Sequence, residues 1–108
     1  MNSALNTYQI QQIKNATPTE LIGILYDMAI QATYRKDQVR LIKILSLLMR
    51  SLNHDYEVAE NFFNLYEYCQ HVARDNQFDE VRELLTGVRD AWYDSVVKGN
   101  KTALNTAV

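Results

Sequence analysis

From Pro18 to Val96 the apolar residues fall three and four apart in four successive segments, the spacing of amphipathic helices and not of strands. The first start is written into Thr17-Pro18-Thr19-Glu20. It has a hydroxyl at the N-cap, proline where its missing N–H costs nothing, and a glutamate placed to bond back to the cap amide. A helix therefore begins at Pro18 and runs to Tyr34 or Arg35, where the polar "RKDQ" turns the chain. The second segment, Gln38 to Leu52, carries Leu41, Ile44, Leu45 and Leu48 among other apolar residues. The third begins near Asp55, a candidate cap, and its stripe runs through Ala59, Phe62, Tyr66, Cys69 and Ala73. After "ARDNQ" the fourth starts between Asn76 and Asp79 and ends at Lys98-Gly99, with glycine where a left-handed residue closes a helix.

Only 3 glycines and 1 proline interrupt the 108 residues, so the connections are short and neighbouring helices are antiparallel. The expected fold is all-α, an antiparallel up-and-down four-helix bundle with an additional short N-terminal helix or arm. The chain has the length of one domain, residues 1–108: an arm over 1–16, the bundle over 17–98 and a flexible tail over 99–108. Within the arm, Leu5, Tyr8, Ile10 and Ile13 stand among Asn and Gln, a pattern that suits a short helix or an extended segment.

Composition narrows the function classes. A net charge of -2, with 11 basic residues scattered among 13 acidic ones, offers no cationic surface for nucleic acid. No apolar run reaches the length of a membrane span, and the start lacks the layout of a signal peptide, so a soluble cytoplasmic protein is expected. The single cysteine, Cys69, lies in an apolar stripe and reads as a small buried hydrophobe. His54 and His71 have no metal-ligand spacing, the acids sit on polar faces, and no phosphate loop or nucleophile arrangement appears. Neither an enzyme, a metal site nor a cofactor is implied. Gly23 and Gly87 fall inside helices, where close packing against a neighbour is the expected reason for them.

What remains is a surplus of hydrocarbon. With Leu21 as origin on a helical wheel, Leu21, Leu25, Met28, Ala29 and Ala32 form one stripe of the first bundle helix, while Ile22, Tyr26 and Ile30 form a second. The next helix has an apolar arc covering more than half its circumference, with Ile42 and Met49 at one edge. Phe63 and Tyr56 lie off the third stripe. A monomer rarely leaves such a patch bare. The arm, a partner's helix or a second copy of the chain could cover it. A fourth use is a small-molecule pocket lined by Tyr26, Tyr66, Phe62 and Trp92, although such aromatics more often fill a core.

Three blocks, "NATPTELIGILYDMAI", "EVAENFFNLYEYC" and "DEVRELLTGVRDAW", stand in the order found in the flagellin export chaperone family (FliS), which the chain resembles from Ala16 to Trp92 as an unusually short member. Tyr8 corresponds to that family's N-terminal tyrosine. Pro18, Glu20, Leu21, Leu25, Tyr26 and Asp27 match its first block. Ala59, Asn61, Leu65, Tyr66 and Tyr68 match the second, and Ala91 and Trp92 the third. Met28 stands where glycine is usual, "NHDY" replaces a double glycine, and the connections between blocks are short. In an up-and-down bundle both shortened connections fall at one end.

The resemblance implies a helical bundle that binds the disordered C-terminal region of flagellin, prevents its polymerisation and delivers it to the flagellar export apparatus. Under that reading Tyr8, Ile22, Tyr26, Ile30, Ile42, Met49 and Phe63 are the partner-binding residues. The last six line a groove that Leu5, Tyr8, Ile10 and Ile13 cover at rest and cargo helices cover in the complex. The alternative is a homodimeric structural or regulatory bundle without secretion cargo.

Overall fold

The computed structural model describes residues 7–97 and holds five helices among them, with no strand. They are α1 (Thr7–Asn15), α2 (Pro18–Tyr34), α3 (Gln38–Arg50), α4 (Val58–Arg74) and α5 (Phe78–Val97). The N-terminal segment is thus helical from Thr7. The glycine closure expected at Lys98-Gly99 lies outside the described residues, as do Leu5 and the tail.

α2 starts as its sequence dictates. Thr17 Oγ1 accepts from the Glu20 amide at 3.2 Å, and Glu20 Oε1 accepts from the Thr17 amide at 3.1 Å. The bond from the Thr17 amide holds the Glu20 carboxyl below the usual carboxylate range.

α2 and α4 end in the same way. Lys36 and Asn76 adopt φ of 54° and 60°, the left-handed conformation that turns a chain sharply off a helix. The Lys36 and Asp37 amides then bond back to Thr33 O and Ala32 O, and those of Asn76 and Gln77 to Ala73 O and Val72 O. Each closure satisfies carbonyls the helix end would leave orphaned and returns the chain antiparallel within three residues. Asp37 at once caps α3, its Oδ1 accepting from the Arg40 amide at 3.1 Å. Gln38 Nε2 donates to Ala73 O, Arg74 O and Asn76 Oδ1, so both tight connections lie at one end of the bundle.

The opposite end carries the longer α3–α4 connection, tied down by Leu52, which is buried. Asp55 does not cap α4, contrary to expectation. The helix begins at Val58, Glu57 occupies the cap position without a side-chain bond, and the Asp55 amide is taken by Asn53 Oδ1. The chain uses those residues to cross from α3 to α4 before it can coil again.

α2 packs against α3 and α5, α3 against α4, and α4 against α5, which closes a four-membered ring. Ala29, Ala32, Ala59 and Ala73 are fully buried, and these small residues admit the large side chains of Leu41, Leu45, Leu48 and Leu85 between them. Among the described side chains of α1, Ile13 rests on the core and Ile10 is exposed. Gly23 has the packing role expected of it, since a Cβ there would fall 2.3 Å from Trp92 Cη2. Gly87 does not, because nothing lies within 4 Å of a Cβ at that position. No helix among the described residues is long and apolar enough to cross a membrane.

Candidate functional site

The aromatic cluster read as a possible pocket is solid core. Tyr26 and Tyr66 join hydroxyl to hydroxyl at 2.5 Å, Trp92 meets the Tyr26 ring edge-on at 6.3 Å, and Phe62 stacks on Tyr66 at 6.4 Å. Burial pushes the Tyr26 hydroxyl up to about 12 against the opposing bond from Tyr66, and raises Tyr66 further. Beside them burial lifts the Cys69 thiol to about 12, which leaves it an inert hydrophobe. Among the described residues the buried Trp92 indole N–H has no partner.

This placement corrects two of the expected partner-binding residues. Ile22 is 2% exposed and Tyr26 0%, so neither lines an open groove. The reason is geometric. The buried arc of α2 is centred near Ala29, roughly 80° round from Leu21, which is itself only half-buried. With α3 on one side and α5 pressed close at Gly23 on the other, the two apolar stripes of α2 both face inward. Ile30, at the far edge of that arc, is half-buried against the core.

α3 behaves differently. Its core residues are Leu41, Ile44, Leu45 and Leu48, and its apolar arc continues past them onto the outer side of the α3–α4 hairpin. There Ile42 and Met49 from α3 face Phe63 from α4 in an open groove of about 810 Å³, whose lining reaches round to Leu47 at the opposite edge of the α3 arc. Ile42, Met49 and Phe63 are half-buried, and Leu47 is 43% exposed. Gln70 crosses the floor, its Nε2 donating to Ile42 O at 3.1 Å and Ser46 Oγ at 2.8 Å. Lys43 and Arg50 stand along the α3 edge. His54 closes the loop end, its ring edge-on to Phe63 at 6.0 Å. Beyond that pair a smaller recess of about 290 Å³ lies among Tyr56, Glu57 and Glu60.

The structure therefore brings together Ile42, Met49 and Phe63 of the expected set and separates Ile22, Tyr26 and Ile30 from them. The side chain of Tyr8, like Leu5, lies outside the described residues. Among the described side chains of α1 none lines this groove: Ile10 is 38% exposed, and Ile13 packs against the core. Sequence reasoning missed Leu47, Ser46 and Gln70 as groove residues. The width of the α3 arc was the available signal for Leu47. Ser46 and Gln70 carried none, because each is a polar residue whose value lies in the hydrogen bond it makes to another helix.

The opposite face, between α2 and α5, is closed by polar contacts. Arg89 Nε donates to Asp27 at 2.9 Å, which holds the guanidinium firmly charged, and Arg82 donates to Thr33 Oγ1 while its guanidinium lies 3.9 Å over the Tyr34 ring. Tyr68 on α4 donates to the Glu80 carboxylate on α5, which raises the tyrosine above its ordinary value. No cluster of His, Cys, Asp and Glu among the described residues is arranged to hold a metal ion. A groove with apolar walls, a polar floor and charged edges suits the apolar face of a helix better than it suits chemistry.

No curated protein and no solved structure matches the chain. A family model described as "Flagellar protein FliS" matches residues 33–99, more than half of the chain. The match spans α3, α4 and α5, the two walls of the groove included, and takes in the second and third of the sequence blocks. On this evidence the chain belongs to the FliS family, the chaperones of flagellar biogenesis.

Proposed function

We propose that this chain is a cytoplasmic export chaperone whose α3–α4 groove holds a helical segment of the otherwise disordered C-terminal region of flagellin, keeping it from polymerising until it reaches the export apparatus. The observation that carries the reading is the open groove of Ile42, Leu47, Met49 and Phe63 in a chain of this family. A disordered partner lays its amphipathic helix into such a groove by its apolar residues, one per turn. Covering four side chains of this size contributes roughly 1.5 to 3 kcal/mol each. Ordering the guest costs about 2 to 5 kcal/mol, and association costs more. At the favourable end the difference is about 6 kcal/mol, so these four side chains by themselves account for an affinity of tens of micromolar at best, loose enough to release a cargo.

Titration calorimetry with a flagellin C-terminal fragment tests this directly. Leu47→Asp and Met49→Asp place charge on the groove lining, Leu47 outside the packed core and Met49 at its margin, and each is expected to weaken binding at least about tenfold, the loss of one buried side chain. A fragment that does not bind the wild-type chain, or that binds both variants equally well, overturns the reading. Concentration-dependent sedimentation that Leu47→Asp abolishes, with no binding of the fragment, would instead establish the homodimer.

A further inference from the structure

The groove has a basic edge, and a row of acids stands beyond its other wall. On α3, Lys43 and Arg50 are seven residues apart and therefore stand on one line, two turns of helix from each other. On α4, Glu60 and Glu67 are also seven apart, and helical steps put both on the solvent side of Phe63, away from α3. All four are exposed, and among the described residues none of the four has an ion-pair partner. Because α3 and α4 run antiparallel, the two rows run side by side: the basic one lines the groove, and the acidic one stands just beyond Phe63, with Glu60 in the neighbouring recess and Ile42, Met49 and Phe63 between the rows.

We infer that these rows set the direction in which a guest helix lies, which rests on the reading of the groove as a cargo site. The occupant is an amphipathic helix of about three turns whose apolar stripe is flanked by acidic side chains on the edge facing α3 and basic ones on the edge facing α4. Turning such a helix end for end exchanges its flanks and brings like charges together on both edges. Apolar contacts are nearly indifferent to that reversal. Charge on the flanks is not, and flanking charges are how paired helices choose partner and orientation. Gln70 adds a register mark: its Nε2 is engaged by Ile42 O and Ser46 Oγ, and its Oε1, without a partner among the described residues, accepts a donor from the guest.

The test uses the full chain, a flagellin C-terminal fragment, and two double variants at exposed positions, Lys43→Glu/Arg50→Glu and Glu60→Lys/Glu67→Lys. Circular dichroism establishes that both variants fold. Each is expected to weaken binding about tenfold at low salt, with the difference shrinking as salt screens the edges. Nitroxide labels at either end of the fragment are expected to broaden opposite ends of the groove, residues near His54 for one label and near Gln70 for the other. If the fragment binds the wild type but both variants bind it equally well, or one wall reversal tightens what the other weakens, the inference falls and the cargo site stands. If both labels broaden both ends, the direction is not set and the inference falls likewise. If the fragment does not bind at all, the cargo reading itself is refuted.

Discussion

Adding one methyl group to each of two helical glycines should move stability in opposite directions. In a helix interior alanine is favoured over glycine by about 0.8 to 1.0 kcal/mol. At Gly87 nothing opposes that gain, since the position is exposed and no atom lies within 4 Å of the added Cβ. Gly87→Ala should raise stability by nearly the full amount, about 4 to 6 °C in Tm for a domain of this size. At Gly23 the same Cβ falls 2.3 Å from Trp92 Cη2 and 2.6 Å from Cζ3. Carbon atoms in contact rest about 3.5 to 4.0 Å apart, so the indole must retreat by more than about 1 Å. It has nowhere easy to go, being 8% exposed and edge-on to the buried Tyr26 ring. Overpacking of this kind costs about 1 to 3 kcal/mol, which outweighs the propensity gain and leaves Gly23→Ala about 1 kcal/mol less stable than the wild type. Urea denaturation followed by circular dichroism gives both numbers. The fluorescence of Trp92, the only tryptophan, reports separately on the indole's displacement. In a Trp92→Phe background the Gly23→Ala penalty should shrink, because the ring that it strikes is gone. If Gly23→Ala stabilises the chain as much as Gly87→Ala, α2 and α5 do not approach at Gly23 and the account of the α2 stripes fails with it.

Two further outcomes follow from the buried aromatic centre. Tyr66→Phe strands the Tyr26 hydroxyl at 0% exposure and should cost about 1 to 3 kcal/mol, whereas the double variant with Tyr26→Phe should cost less than the sum of the singles; additive losses in the double-mutant cycle would mean that the hydroxyls do not bond. Alkaline pH should unfold the chain. Tyr26 is raised from its ordinary 10.0 to about 12 and Cys69 from 9.0 to about 12, so both are neutral when folded and ionise more readily when unfolded. Their contribution is whole below pH 9.0 and is lost as pH climbs from there towards 12. The urea midpoint should therefore fall over that interval, Cys69→Ala should flatten the early part of the decline, and a midpoint independent of pH up to about 11 would refute the burial of these groups.

The helices were legible because their signals are local. A capping box, a stripe at steps of three and four, and the polar breaks "RKDQ" and "ARDNQ" act within a few residues, and the structure has helix ends at each. Asp55 failed as a cap because nothing in its neighbourhood records how many residues the chain needs to cross from α3 to α4. Gly23 and Gly87 present the same letter in the same local setting, and only the ring of Trp92, far along the chain, tells them apart. Lys36 is harder still, since nothing in a lysine advertises a left-handed backbone; the two bonds that close the α2 end hold it there.

The groove was legible in amount but not in position. A helical wheel measures how wide an apolar arc is, and both α2 and α3 have arcs wider than one contact needs. Whether the surplus is consumed depends on how closely the neighbours approach and how far their side chains reach. Around α2, Gly23 lets Trp92 come down onto the backbone, and Tyr26 spans the interior to Tyr66, so even Ile22 is enclosed. Around α3 no glycine draws a neighbour in. On the outer side of its hairpin with α4, Gln70 bonds to the α3 backbone at Ile42 and to Ser46, a polar bridge where other contacts of the bundle are hydrocarbon. Ile42 and Met49 lie beyond the line of contact, and Phe63 faces them from across the gap. A helical wheel contains no neighbouring helix, which is why counting apolar side chains placed Ile22 and Tyr26, two of the seven expected residues, on a groove that they do not line.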